Sequence, residues 1–80
     1  MKVRVSVRLK ASILDPQGKT VQKASQQMGY DEVESVRIGK LIELEVNSDS
    51  SEESKARIED LCRKLLTNPQ LETYEIEWLD

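Results

Sequence analysis

The chain has 80 residues, with 15 acidic and 12 basic side chains, a net charge of −3 and no histidine. A domain of this length buries about 60% of the surface its unfolded form exposes, so a core alone leaves it marginal. The single cysteine rules out an internal disulfide. The missing histidine argues against a zinc site, and the acidic balance against a general binder of nucleic-acid backbone. Association with other chains is the remaining route to stability.

The first ten residues, MKVRVSVRLK, alternate. Val3, Val5, Val7 and Leu9 fall on one side, and Lys2, Arg4, Ser6, Arg8 and Lys10 on the other. Period two over this length predicts a half-buried strand. The start lacks the apolar stretch of a signal peptide, and no run is long enough for a membrane span. The expected location is the cytoplasm, which suits a lone unpaired cysteine.

Asp15-Pro16 predicts a helix start, Asp as N-cap and Pro as first helical residue. Val21, Ala24, Ser25 and Met28 then recur at i, i+3, i+4 and i+7, and Gly29 is placed to end the helix. Residues 32–38 read as a second strand. Gly39-Lys40 reads as a tight hairpin, and residues 41–46 as a third strand with Ile42, Leu44 and Val46 on one face. After a polar loop, Ser51 opens a second helix with the stripe Ile58, Leu61, Cys62 and Leu65. Asn68-Pro69 ends it. The last strand places Tyr74, Ile76 and Trp78 on one face, and Thr73, Glu75 and Glu77 on the other.

The expected fold is therefore α+β, a single domain over residues 1–80 with element order β-α-β-β-α-β. Two right-handed βαβ-type units favour a ferredoxin-like two-layer sandwich, with an antiparallel sheet of order 4-1-3-2 and both helices on one face. In that order the basic first strand lies between two acidic strands. Lys2, Arg4 and Arg8 should then pair with Glu43 and Glu45 on one side and Glu75 and Glu77 on the other.

A search for chemistry finds little. RNA readers on such sheets stack bases on central-strand aromatics, and the first and third strands have none. Cys62 sits on an apolar helix stripe, where it reads as a core residue; without histidine it lacks the commonest general base. Tyr74 and Trp78, at strand spacing, read as core or interface rather than a stacking pair. The glycines are isolated and build no phosphate loop. Residues 11–13 give no basic, Gly-rich anion cradle of an acylphosphatase-like enzyme. No catalytic, cofactor-binding or metal-binding residue is nominated.

Three segments carry a resemblance: SILDPQG (12–18), GYDEVESVRIGK (29–40) and KLLTNPQLETY (64–74). Together, in this order and on a chain of this length, they resemble the PurS family, the small subunit of phosphoribosylformylglycinamidine synthase. The resemblance implies a non-catalytic subunit in purine biosynthesis. It would bridge a glutaminase, PurQ, which releases ammonia from glutamine, and a synthetase, PurL, which uses ATP and magnesium to install the nitrogen on formylglycinamide ribonucleotide. It also implies assistance in ammonia transfer, and self-association as a dimer or tetramer. The other reading is a stand-alone oligomeric ferredoxin-like module that binds a small regulatory ligand.

In the expected topology the junctions at Asp15-Pro16, Arg37-Ile38-Gly39-Lys40 and Asn68-Pro69 fall at one end of the sheet. That end is the expected docking surface for a partner subunit, with Arg37 and Lys40 as its charged contacts. Asp15, Pro16, Gly29, Gly39, Asn68 and Pro69 are each also explained as a cap, a turn or a helix stop.

Overall fold

The computed structural model describes residues 1–79. Its elements are β1 (Lys2–Leu9), α1 (Pro16–Gln27), β2 (Gly39–Glu45), α2 (Glu52–Leu61), a π-helical turn (Cys62–Leu66) and β3 (Glu72–Leu79). The strands form one antiparallel sheet of order β2-β1-β3. The alternating N-terminal segment is thus the central strand, as its pattern predicts. Val3, Val5 and Val7 are fully buried, and Ile58 and Cys62 of the second helix close over them. Ile42, Leu44, Val46, Tyr74, Ile76 and Trp78 pack around this nucleus.

The opposite face of the sheet is ionic. Register sets Arg4 opposite Glu43 on β2 and Glu77 on β3, and Lys2 opposite Glu45. Arg4 lies 3.8 Å from Glu43 and 3.4 Å from Glu77, Lys2 4.0 Å from Glu45 and Arg8 3.6 Å from Glu75. The charge match expected from the sequence is present, on a solvent-exposed face.

Both helix starts follow the local chemistry. The Asp15 carboxylate accepts from the Gly18 amide at 2.9 Å, with Pro16 at the first helical position. Ser51 caps α2 by accepting from the Ser54 amide at 3.2 Å. Gly29 ends α1 at φ 99°, where only glycine is free of strain. Its amide donates to Gln26 and that of Tyr30 to Ser25, closing the left-handed cap. The second helix widens before it stops: the Thr67 amide reaches the Cys62 carbonyl at 3.0 Å and its hydroxyl reaches it at 2.8 Å. Asn68-Pro69 follows, and the Asn68 carbonyl accepts from Leu71 and Glu72 as the chain turns into β3.

Three expectations are corrected. Residues 32–38 do not form a strand, so the four-stranded order 4-1-3-2 is replaced by a three-stranded sheet. The neighbours of the central strand are as expected; the edge strand is missing. The reason lies in α1. Its Gln22 side chain donates to the Glu34 carbonyl at 2.6 Å and Gln26 to the Val33 carbonyl at 3.3 Å, while the Ile38 amide donates to Asp15 at 2.7 Å. The segment is an extended strap whose backbone groups are bonded to side chains of α1 and its cap.

Gly39-Lys40 is accordingly not a hairpin. Gly39 opens β2 opposite Arg8, and a Cβ there would collide with the Val7 carbonyl. Glycine is required for close approach of two backbones, not for a turn.

Nor do both helices cover one sheet face. Among the described residues no side chain of α1 belongs to the core, and Val21 and Met28 of its apolar stripe are exposed. Helix and strap together form an arm that prolongs the molecule to 49 × 26 × 14 Å. The radius of gyration is 16.1 Å, against about 12 Å for a compact chain of this length.

Candidate functional site

The three junctions singled out in the sequence do meet at one end of the sheet. The Lys10 amide donates to the Leu71 carbonyl at 2.8 Å, joining the end of β1 to the start of β3. Asp15 joins the start of α1 to the end of the strap through the Ile38 amide. The Asn68 amide donates to the Glu72 carboxylate at 2.8 Å, and the Asn68 side chain accepts from Gln70 at 3.1 Å. A groove of about 190 Å³ opens between these segments, lined by Arg8, Leu9, Gln17, Ile38, Lys40 and Glu72 among others.

The two charged residues expected to dock a partner have different roles in this geometry. The Arg37 guanidinium donates to the Leu9 carbonyl and ties the strap to the end of β1. Lys40 is exposed at the mouth of the groove. Pro16 and Pro69 are exposed beside it, whereas Gly29 lies at the far tip of the arm, away from this corner. Gln17 and Glu72 also reach the groove; both lie within segments that carry the resemblance, yet sequence reading singled out neither, since a polar side chain beside a cap or a helix stop has no chemical signal of its own.

Hydrogen bonds from the Gly18 and Ile38 amides hold the Asp15 carboxyl below its ordinary range, with Arg37 adding to the effect. Asp49 is lowered mainly by Ser51, and Asp60 by Lys64. Burial pushes the Cys62 thiol up, with Glu59 acting in the same direction. A buried thiol held protonated is a packing residue, not a nucleophile. Among the described residues no three His, Cys, Asp or Glu side chains cluster as a metal site.

Capped, stapled and polar, this corner is built to present a surface rather than to enclose a substrate, which defines a small α+β binding module. The chain belongs to the PurS family: the family model for PurS, phosphoribosylformylglycinamidine (FGAM) synthase, matches residues 2–80. The FGAM synthase subunit PurS of Bacillus subtilis is 46% identical over 76 residues, covering 95% of this chain and 89% of that protein. Its counterpart in Methanocaldococcus jannaschii is 36% identical, covering 95% and 92%. Among solved structures, B. subtilis PurS superposes with a TM-score of 0.83 at 45% identity, over 95% of this chain and 94% of that one. A chain in the structure of PurLQS from Thermotoga maritima superposes at 0.86 with 31% identity, over 98% and 95%.

Proposed function

We propose that this chain is the PurS subunit of an FGAM synthase and works in assembly with PurL and PurQ in purine biosynthesis. The likeness to a chain of the T. maritima PurLQS structure, over nearly the whole length of both chains, carries this reading. The chain is a non-catalytic bridge. PurQ supplies ammonia from glutamine, PurL consumes it with ATP and magnesium, and this subunit holds the two in register in the cytoplasm. A bridge raises the rate of the coupled reaction by positioning, with no contact to the reacting atoms. The corner with Lys40 at its mouth is the proposed docking surface, and Arg37 shapes it by fixing the strap to β1.

Reconstitution tests the reading. PurL and PurQ from the same organism are assayed with glutamine and then with ammonium, each with and without this chain. A requirement for the chain with glutamine but not with ammonium is the expected result. If neither nitrogen source responds to it, the assignment fails.

A further inference from the structure

The sheet leaves a long edge open at β3. Hydrogen bonding between antiparallel strands alternates, so every second residue turns its amide and carbonyl away from the neighbouring strand. The bond from the Lys10 amide to the Leu71 carbonyl, one step beyond the pairing of Leu9 with Glu72, fixes the phase. Thr73, Glu75 and Glu77 therefore bond to β1, while Glu72, Tyr74, Ile76 and Trp78 face outward. The Asn68 carbonyl satisfies the Glu72 amide at 2.7 Å. The amides and carbonyls of Tyr74, Ile76 and Trp78 take no partner among the described residues.

Open edges are ordinarily blunted by short length, proline, lysine or a bulge. Strand β3 has none of these: its eight residues, ETYEIEWL, pair with β1 without interruption. The edge at β2 differs, since it opens on Gly39 where the strap runs in and carries Lys40. A bed for a further strand also exists beside β3. Tyr74, Ile76 and Trp78 are half-buried on the core side, and Lys55 of α2 lies 5.5 Å from the Trp78 ring, so the helix walls that side.

Charge selects the occupant. On the other face Glu75 and Glu77 meet Arg8 and Arg4 of β1, with no cation on their outer flank. A second copy added edge to edge, antiparallel about Ile76, would set Glu75 against Glu77 twice over, and like charges directly opposite are destabilising. A basic strand is favoured for the same reason. We propose that β3 takes up an extended segment of a partner enzyme as a fourth strand. That segment alternates, with Lys or Arg opposite Glu75 and Glu77 and apolar side chains opposite Tyr74, Ile76 and Trp78. Strand β1 is the internal precedent: VRVSVR meets the same two rows from the other side. The identity of the partner as PurL or PurQ rests on the FGAM synthase reading. The edge starts at Glu72, on the rim of the docking corner, so one partner can hold both.

Amide exchange on the full chain reads the edge directly. The free chain, and the chain assembled with PurL and PurQ from the same organism, are held in D2O, quenched and read residue by residue by NMR after dissociation. In the free chain the Tyr74, Ile76 and Trp78 amides are expected to exchange fast between protected neighbours. In the assembly they are expected to slow by about a hundredfold or more. An assembly in which they exchange as before overturns the proposal and leaves the FGAM synthase reading standing. Protection already present in the free chain also overturns it, since a second copy then holds the edge. A chain that assembles with neither enzyme overturns that reading and the partner named here with it.

Semisynthesis separates strand addition from simple covering. Cys62, the only cysteine, is the junction between an expressed 1–61 thioester and a synthetic 62–80 peptide methylated at the Ile76 backbone nitrogen. The methyl group removes one outward donor and spares the side chain and the bonds to β1. Affinity for the partner is expected to fall by about tenfold or more, with the melting temperature unchanged; wild-type affinity overturns strand addition. Glu75→Gln with Glu77→Gln is expected to weaken binding, most at low salt, and an unchanged affinity overturns the basic occupant.

Discussion

The Asp15 carboxylate binds the Ile38 amide at 2.7 Å while its other oxygen binds Gly18 at 2.9 Å. One side chain therefore caps a helix and holds the end of the strap against its start. The two roles are linked, since both bonds favour the ionised carboxylate.

The first prediction follows from the sign of that preference. Asp15 titrates below its ordinary 3.8 in the folded chain. A depressed folded value means the stabilisation is fully present above the unfolded pKa and is lost as pH falls through the folded one. Stability of the wild type is expected to be flat in this contribution from neutral pH down to about 4 and to fall below it. Asp15→Asn retains a capping oxygen but no titrating charge, so its unfolding midpoint should start lower and decline less steeply over the same acidic range. Equal slopes for the two proteins in urea melts at successive pH values would refute the staple.

The same staple explains what was legible in the sequence and what was not. The alternation of Val3, Val5 and Val7, the caps at Asp15 and Ser51 and the stop at Gly29 are local signals, and each stands where those signals place it. Residues 32–38 carry a mixed pattern. Val36 and Ile38 alternate, but Val33 and Val36 are spaced by three and are the half-buried pair. Strand pairing lost to bonds from Gln22, Gln26 and Asp15, contacts across a gap in sequence that periodicity does not report. The corner was legible because its three junctions are marked by Pro and Gly. The division of labour between Arg37 and Lys40 was not, because both read simply as cations beside a glycine.

Gly18 separates helix propensity from packing. Replacing a glycine inside a helix by alanine ordinarily gains about 1 kcal/mol. Here the new Cβ would run into the Val36 carbonyl and come within 2.8 Å of the Asp15 carboxylate. Neither neighbour moves freely, and overpacking of this kind costs about 1–3 kcal/mol. Gly18→Ala is expected to destabilise in chemical denaturation and to loosen amide protection across 33–38. Gly29→Ala meets no atom within 4 Å but sits at φ 99°, a backbone cost of about 1–2 kcal/mol. Its loss should leave protection of the strap near the sheet intact.

Arg4 distinguishes the two faces of the sheet. Its guanidinium lies between Glu43 and Glu77, and the side chain is 39% exposed. Pairs this exposed contribute about 0–1 kcal/mol and are screened by salt. Arg4→Ala should therefore cost about 1 kcal/mol or less at low ionic strength and still less in molar salt. Val5→Ala, on the buried face of the same strand, removes two methyl groups' worth of packing and should cost about 2 kcal/mol, with little salt dependence. Equal costs for the two variants would mean that the ionic face is itself an interior.

Lys40 and Arg37 test the proposed docking corner separately. The Lys40 side chain makes no hydrogen bond or ion pair among the described residues and lies exposed beside the groove. Reversing its charge should leave the melting temperature of the free chain unchanged. Binding to PurL and PurQ should weaken by about tenfold, or roughly 1.4 kcal/mol, mostly through slower association and more strongly at low salt. Arg37 holds the strap to the Leu9 carbonyl, so Arg37→Ala should instead lower the melting temperature and disturb the arm. Binding titrations and thermal melts on both single variants separate the roles. If Lys40→Glu binds as the wild type does, the partners dock elsewhere on the subunit. If Arg37→Ala melts as the wild type does, Asp15, Gln22 and Gln26 hold the strap without it.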